Sequence, residues 1–284
     1  MTHDDITAAC KDAGLAGRAS QIVQAARPCV LLTPELVEPS ALASGASRIG
    51  GLPDLPAGVA WPEWRDGPLA FIAQLKLEDL AGFPACAELP ATGQLLFFYE
   101  AEQATWGFDP ADRGSWQVIY AESANLQRAT SPAALPKHAI FQPCSITYSE
   151  GITLPPPESA AFETLGFSEK ERETYFDVYD ALLAEGHGAS SWVLGFPEQI
   201  QGDMQTECAL VSAGLYTGDE SGWTDPRAKG LEKDAPAWRL LFQLGSEDAA
   251  GMMWGDAGCL YFWMHERDLA ARAFDRAWMI LQCY

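Results

Sequence analysis

The C-terminal stretch Met252–Tyr284 reads MMWGDAGCLYFWMHERDLAARAFDRAWMILQCY, and part of its pattern has already occurred once upstream. Its run Gly258–Trp263 (GCLYFW) matches Gly93–Phe98 (GQLLFF) at an offset of 258 − 93 = 165. Repetition of one pattern along a chain indicates an internal duplication. We therefore expect two similar β units.

Two further pairs of apolar segments accompany this match in the same order. They are Phe71–Leu75 with Leu240–Leu244, and Trp116–Tyr120 with Trp278–Gln282. The run Leu95–Tyr99 does not alternate, which is typical of a central strand covered on both faces. The sequence thus predicts an α+β fold that is internally duplicated, with two similar antiparallel or mixed β units related by approximate two-fold symmetry and flanked by peripheral helices.

Length and composition favour one domain. The 284 residues are 48% hydrophobic and 20% charged, which is enough apolar material for a substantial core. We predict a single duplicated domain over residues 1–284, with a first half at about 30–120, a connecting segment at 121–193 and a second half at 194–284.

The start of the chain and its cysteines predict a cytoplasmic protein. Asp4 and Asp5 stand where a secretory leader would carry basic residues, and no segment is long and apolar enough to span a membrane. The seven cysteines are odd in number and scattered, without a C-x-x-C pair. Buried free thiols in a reducing compartment are therefore expected, rather than disulfides or a zinc site.

The charge balance is strongly acidic and limits the choice of partner. Thirty-nine acidic residues against 18 basic ones give a formal charge of −21, which repels a phosphate backbone and argues against nucleic acid. Because the acids are dispersed along the chain, solubility is the simpler interpretation of the excess. Attraction to a basic protein or peptide partner is the more specific one.

Local patterns predict three elements outside the matched segments. Glu150–Gly151 lies between two apolar segments, which indicates a hairpin. Ser168 and Glu171 form a capping-box pattern that should begin the clearest helix, and Gly186 should end it. The polar segment 217–234 is expected to be a mobile surface loop.

Two glycine–proline segments predict shaped loops before the matched strands. They are Gly50–Pro53 (GGLP) and Gly195–Pro197 (GFP), whose prolines are offset by 197 − 53 = 144. Proline removes a backbone donor and glycine permits a positive φ, so neither segment suits a central strand. Each Gly–Pro loop is either the rim of a ligand site or a rigid connection packed on the sheet, and we favour the second.

Gln74 and Gln243 each place an uncharged amide within an apolar strand, at an offset of 243 − 74 = 169. An unpaired buried amide costs about 1–3 kcal/mol, so each should bond to the neighbouring strand or to a Gly–Pro loop. The functional alternative is a polar cleft between the halves. Its candidate ligand-binding residues are Trp61, Gln74, Trp106, Gln201, Glu207, Gln243, Trp254 and Asp256.

No motif in the sequence predicts catalysis. The chain lacks a G-x-S-x-G elbow, and its four histidines are scattered without an H-E-x-x-H pattern. The cluster His265–Asp268 could hold a general base beside a carboxylate, but a turn in which Asp268 caps a helix is the simpler interpretation. We therefore predict no catalytic residues, no metal ligands and no cofactor.

Several of these segments together resemble the bacterial YwqG-like family, a domain of unknown function. The matching segments are Gly50–Pro56 with Trp61–Pro62, Leu69–Leu75, Gly93–Tyr99, Leu194–Gln201, Leu240–Leu244 and Trp254–Tyr284. The resemblance implies an α+β domain in the cytoplasm and transfers no catalytic residues. Family members near toxin operons would suggest a protective, immunity-like role.

Two hypotheses of function follow. The first is a binding module without chemistry that recognises a protein or peptide partner. The second is a carboxylate-based hydrolase that acts on a sugar- or peptide-like substrate in a cleft between the two repeats. The lack of a catalytic motif favours binding, whereas two carboxylates about 5–10 Å apart in one deep pocket would favour the hydrolase.

Overall fold

The computed structural model describes residues 1–65, 67–122, 124–184 and 190–284. The strands are β1 (Arg27–Leu36), β2 (Arg48–Ile49), β3 (Asp54–Pro56), β4 (Glu63–Trp64), β5 (Gly67–Pro68), β6 (Ala70–Lys76), β7 (Gln94–Tyr99), β8 (Trp116–Ala121), β9 (Leu126–Arg128), β10 (Cys144–Thr153), β11 (Trp192–Val193), β12 (Trp238–Gly245), β13 (Cys259–His265) and β14 (Trp278–Gln282).

Helices lie between and outside these strands. The α-helices are α1 (His3–Asp12), α2 (Ala19–Ala25), α3 (Leu77–Leu80), α4 (Ala160–Glu163), α5 (Glu169–Ala184), α6 (Met204–Val211), α7 (Glu220–Trp223), α8 (Ala228–Leu231) and α9 (Glu266–Ala270). Single turns of 3-10 helix cover Ala16–Arg18, Pro39–Ala41, Pro84–Cys86, Pro110–Asp112, Lys137–Ala139 and Phe274–Arg276, and a longer one covers Glu232–Ala237.

Ten strands form one large antiparallel sheet, in the order β14-β13-β12-β11-β1-β10-β2-β6-β7-β8. The small pairs β3-β9 and β4-β5 lie beside it. The predicted α+β class is confirmed, and the strands of the large sheet pair antiparallel throughout.

The sheet curls until it is nearly closed, so that side chains from its two ends meet inside. The Phe97 ring of β7 lies 4.8 Å from the Phe242 ring of β12 and 5.0 Å from the Phe262 ring of β13. All three side chains are fully buried. This contact explains the unbroken apolar runs of these strands, because each has one face inside the curl and the other under loops or helices.

The edge strand β14 is covered by the connection between β7 and β8. Leu281 N donates to Trp106 O at 3.1 Å, and Trp278 Nε1 donates to Gly107 O at 2.8 Å. Gly107 has a φ of +86°, and a Cβ there would lie 1.9 Å from Met279 O. Only glycine allows the two backbones to approach so closely. A covered edge is less open to pairing with another chain.

Helices α1, α2, α4 and α5 pack together outside the sheet around a second apolar cluster. Helix α5 begins with the predicted capping box, in which Ser168 N donates to Glu171 at 2.8 Å and Glu171 N donates to Ser168 Oγ at 3.4 Å. Its buried face includes Tyr175 and Leu182. Gly186, predicted to end this helix, lies outside the described residues.

The predicted hairpin at Glu150–Gly151 is wrong. Strand β10 passes through these residues without a turn and pairs with β1 over its whole length. Gly151 lies opposite Cys29, and a Cβ on it would come within 2.8 Å of Cys29 Sγ. The glycine therefore permits close packing between neighbouring strands, which a local pattern does not distinguish from a turn.

Two other local predictions are also wrong. The segment 217–234 forms α7, α8 and the start of the last long 3-10 helix rather than a loop, because Asp219 caps α7 and Ala228 is buried under α6. Helix α9 is capped by His265, whose Nδ1 accepts from Arg267 N at 3.2 Å. Asp268 instead lies within the helix and pairs with Arg276 at 3.0 Å.

All seven cysteines are free and buried, as the sequence predicts. Among the described residues, no helix has both the length and the apolar character needed to cross a bilayer.

Candidate functional site

Gln74 fastens the first Gly–Pro loop to the sheet. Its Oε1 accepts a hydrogen bond from Asp54 N at 2.8 Å, and its Nε2 donates to Ala46 O at 3.0 Å. The side chain is fully buried. Both ends of the amide are therefore satisfied within the protein, as burial of a polar group requires.

Gln243 fastens the second Gly–Pro loop in the same way. Its Oε1 accepts from Glu198 N at 2.9 Å, and its Nε2 donates to Ser190 O at 3.1 Å. Asp54 and Glu198 each directly follow the last proline of their loop motif. The expectation that both glutamines bond to the Gly–Pro loops is confirmed.

Sequence reasoning missed a buried ionic network beside Gln74. Arg48 is fully buried and donates to Asp54, which also accepts from Arg128 Nε at 2.6 Å and from Gly45 N at 2.7 Å. Burial by itself would raise the pKa of Asp54, but the hydrogen bonds from Arg128 and Gly45 and the charge of Arg48 hold that pKa below its ordinary value. The sequence signal for this ion pair is the presence of Arg48 and Asp54, which have opposite charges, on either side of the short apolar loop between them.

The structure places Trp61 and Trp254 against opposite faces of the sheet. The Trp61 ring lies 5.8 Å from Phe98, whereas the Trp254 ring lies 6.2 Å from Tyr99. Neighbouring residues of a strand point to opposite faces, so these two tryptophans do not line one cleft. Their Nε1 groups donate to Leu69 O at 2.8 Å and to Gly245 O at 3.1 Å, respectively.

Three other candidates meet around β14 through their backbones. Leu281 N donates to Trp106 O at 3.1 Å, Gln201 N donates to Gln282 Oε1 at 3.0 Å, and Tyr284 N donates to Asp256 O at 3.1 Å. The side chains of Gln201 and Asp256 are exposed. The predicted candidates therefore do not form one cleft. Gln74 and Gln243 each hold a Gly–Pro loop in the interior, whereas Trp106, Gln201 and Asp256 lie around β14.

Glu207 is the candidate with the most unusual electrostatic surroundings. It lies on α6 with its side chain half-buried, and its Oε1 accepts from Thr217 Oγ1 at 3.0 Å. Burial and the negative charge of Asp203 raise the pKa of Glu207, the hydrogen bond from Thr217 lowers it, and the net result is a pKa of about 7. This carboxyl group therefore changes protonation near neutral pH.

The hydrogen bonds around Glu207 can be satisfied in either protonation state. The Thr217 hydroxyl has one proton but lies within reach of two acceptors, Glu207 Oε1 at 3.0 Å and Phe108 O at 3.1 Å. If Glu207 carries a proton, it can donate to Thr217 while Thr217 donates to Phe108 O. If Glu207 is ionised, Thr217 Oγ1 donates to it and Phe108 O keeps its hydrogen bond from Thr217 N at 2.9 Å.

We expect this protonation to make stability depend on pH. The folded pKa of about 7 lies above the ordinary value of 4.5, so the folded state binds one more proton between these values. Stability from Glu207 is therefore complete below pH 4.5 and is lost as the pH rises through 7. Glu207→Gln should raise the free energy of unfolding at pH 8 by about 1–3 kcal/mol and leave it nearly unchanged at pH 4.

Urea unfolding at both pH values measures this difference. Glu173→Gln is the matched control, because Glu173 is an exposed glutamate on α5. A constant difference between Glu207→Gln and the original protein across this pH range would contradict the assignment.

Two exposed aromatic residues, Tyr216 and Trp223, are connected to Glu207 through Thr217, and sequence reasoning missed them. Tyr216 is 38% exposed and packs edge-on against Phe108, with ring centroids 5.7 Å apart. Trp223 is 39% exposed and donates from Nε1 to Thr217 O at 3.0 Å. We call Phe108, Glu207, Tyr216, Thr217 and Trp223 the Glu207 corner. Aromatic residues within a polar insertion are the signal that could have identified it.

The described surface offers little support for paired-carboxylate chemistry. Among five of the clefts on it, four are each lined by a single carboxylate, namely Glu150, Glu171, Glu198 or Asp275, and the fifth, beside Arg27, is lined by none. A glycosidase-like mechanism needs two carboxylates in one pocket. Within the described ranges, no three His, Cys, Asp or Glu side chains are grouped so that they could hold a metal ion.

Fold and site together define an α+β domain with a nearly closed antiparallel sheet and a half-buried carboxyl group connected through Thr217 to exposed aromatic side chains. The chain belongs to the family described as a domain of unknown function (DUF1963), whose model matches residues 47–283. The match includes both Gly–Pro loops, both buried glutamines and Glu207. That description gives neither the YwqG-like name nor a bacterial source, so these two expectations remain predictions. A comparison with curated proteins found no match.

Proposed function

We propose that the protein is a binding module that recognises a protein or peptide partner and performs no chemistry. The observation that carries this proposal is the pair of exposed side chains, Tyr216 and Trp223, connected through Thr217 to half-buried Glu207. Tyrosine and tryptophan dominate the binding energy of protein interfaces because their rigid rings bury a large area at little entropic cost. Tyr216 is next to Thr217 in the chain and Trp223 donates to Thr217 O, so both side chains belong to one part of the surface.

The charge of the chain supports a basic partner. A lysine or arginine of the partner can lie over the ring of Tyr216 or Trp223 and donate a hydrogen bond to Glu207. The formal charge of −21 attracts such a partner over a distance and opposes nucleic acid. The resemblance to the YwqG-like family suggests that this binding serves an immunity-like role in the cytoplasm.

The carboxylate-based hydrolase is the weaker alternative. Asp203 is the carboxylate whose charge acts on Glu207, but it caps α6. Its two oxygens accept from Gln205 N at 3.0 Å and from Thr206 N at 3.2 Å. A carboxylate committed to a helix cap is poorly placed to act as nucleophile or base.

The test begins with affinity capture at low and at physiological salt, followed by mass spectrometry. A captured protein is then purified and titrated calorimetrically. Tyr216→Ala should weaken its binding about tenfold or more. The control is Tyr284→Ala, which removes a 77% exposed tyrosine outside the corner and should leave the affinity unchanged. Equal affinities of the original protein and Tyr216→Ala would exclude the Glu207 corner as the interface.

We also infer that the chain contains two copies of one unit related by approximate two-fold symmetry. Outward from the central pair β1-β10, the strands β11, β12, β13 and β14 follow on one side, and β2, β6, β7 and β8 on the other. Strands β6 and β12 both carry a register shift, between Phe71 and Ala73 and between Leu240 and Phe242. Each shift immediately precedes the glutamine that binds a Gly–Pro loop. These correspondences support a duplication.

A further inference from the structure

Arg27, at the start of β1, lies on the ring of a buried phenylalanine. Its guanidinium carbon is 4.2 Å from the centroid of Phe196, which belongs to the second Gly–Pro loop. Phe196 is only 4% exposed, and its backbone N donates to Thr153 Oγ1 at 2.7 Å. The aromatic surface under the arginine is therefore fixed by the fold.

The positive charge of Arg27 has no close counter-ion among the described residues. Several other arginines form ion pairs within 4.0 Å, including fully buried Arg48, whereas Arg65, Arg113 and Arg272 form none among the described residues. Burial and the charge of Arg239 lower the pKa of Arg27 to about 10, while Glu88 and Glu266 oppose that shift from farther away. Partial burial of a cation without an adjacent carboxylate costs free energy. The chain has 39 acidic residues, yet none of the described ones lies next to Arg27.

A cleft of about 430 Å³ opens beside this arginine. Pro155, Phe196 and Pro236 form an apolar wall, and Gln24 and Thr164 add polar groups at the rim. Cleft volumes of about 300–1,000 Å³ are usual for small-ligand sites. The cleft is lined by no carboxylate that would repel an anion.

We propose that this cleft binds a ligand with one carboxylate attached to an apolar group. The carboxylate pairs side-on with the Arg27 guanidinium, whose geometry suits two parallel hydrogen bonds, and the apolar group lies against the exposed Pro236. A phosphate dianion fits less well, because it needs more positive charge than Arg27 alone supplies. Arg239 is already paired with Glu88 at 3.7 Å, and the negative charges of Glu88 and Glu266 also act on Arg27. The Glu207 corner is a separate surface, so the two proposals succeed or fail independently.

Calorimetric titration of the full chain with phenylacetate tests the site. Saturable binding is expected for phenylacetate, and none for phenylacetamide, which has the same ring without the charge. Arg27→Gln should weaken phenylacetate binding about tenfold or more. Arg65→Gln is the matched control, because Arg65 also stacks on a ring, 3.9 Å from Trp64, but is exposed.

A second variant keeps the test decisive if Arg27→Gln does not fold. Thr164→Trp leaves Arg27 in place and fills the cleft from its exposed rim, so it should also weaken phenylacetate binding about tenfold. Absence of saturable binding to the original protein, or unchanged affinity in a folded Arg27→Gln or Thr164→Trp protein, would overturn the proposal.

A third ligand identifies the source of the carboxylate. N-acetyl-alanyl-phenylalanine presents the same ring and carboxylate at the end of a peptide. Tighter binding than phenylacetate would assign the cleft to the C-terminus of a peptide, and weaker binding to a free carboxylic acid. Binding of the corresponding peptide amide with equal affinity would count against the carboxylate site altogether.

Discussion

A chain that ends at Met279 is expected not to fold. Deletion of 280–284 removes Ile280 and Leu281, which are 2% and 3% exposed, and most of the ladder between β13 and β14. Burial of each of these two side chains contributes about 1.5–3 kcal/mol, against a typical total stability of about 5–15 kcal/mol.

The same deletion also releases a neighbouring loop. Gln282 Oε1 accepts from Ile200 N and Gln201 N, both at 3.0 Å, and Gln282 Nε2 donates to Gly202 O at 3.2 Å. These backbone groups, which lie beside the second Gly–Pro loop, lose their partners when Gln282 is removed. The deletion thus affects the packing of the sheet and the position of α6 together.

Soluble expression and thermal unfolding followed by circular dichroism measure this effect. Removal of Tyr284 alone is the control, since its side chain is 77% exposed and its backbone makes one hydrogen bond, to Asp256 O at 3.1 Å. The shorter deletion should change the midpoint little. A soluble protein ending at Met279 with an unchanged midpoint would show that β14 is peripheral.

Replacement of Asp54 by alanine is expected to lower the free energy of unfolding by about 3–5 kcal/mol, because it leaves the fully buried guanidinium of Arg48 without its counter-ion. It also removes the acceptors of Gly45 N and Arg128 Nε. The first Gly–Pro loop then loses its side-chain contact with Gly45 and keeps the bridge through Gln74 to Ala46 O. Urea unfolding at neutral pH measures the change.

The pH dependence of this contribution has the opposite sign to that of Glu207. The pKa of Asp54 lies below its ordinary value of 3.8, so its contribution is present above that pH and is lost as the pH falls through the lowered pKa. The difference in stability between the original protein and Asp54→Ala should therefore shrink in strong acid.

An exposed ion pair provides the control. Asp225 lies 2.9 Å from Arg227 at the surface, where water screens the charges, so Asp225→Ala should change stability little. If Asp54→Ala and Asp225→Ala unfold at the same urea concentration, the buried network does not stabilise the loop as proposed.

Much of the architecture can be predicted from the sequence, because burial on both faces leaves unbroken apolar runs. The runs containing Phe97 and Phe262 are strands that meet inside the sheet. The amides of Gln74 and Gln243 stand out within such runs, and the need to satisfy them predicts their contacts with the Gly–Pro loops. Ser168 and Glu171 likewise predict a helix start, since a capping box is a local structure.

The wrong prediction at Gly151 arises because glycine occurs both in turns and where two backbones or side chains pack closely. Gly151 was expected in a turn but lies within β10, where it gives room to Cys29. Gly107 permits a backbone contact with β14, a strand far away in the sequence. A local pattern indicates that glycine is needed, but the reason depends on which segment packs against it.

Apolar runs in the sequence identify the buried strands and the polar groups within them that need partners, and composition gives the large negative charge. Which loops meet at the Glu207 corner, and that Arg27 lies beside a cleft, follow from the packing of distant segments. Both arrangements join residues far apart in the chain, Phe108 with Thr217 and Arg27 with Phe196. Periodicity and propensity act over a few residues, whereas strand order and the curl of the sheet bring such distant segments together.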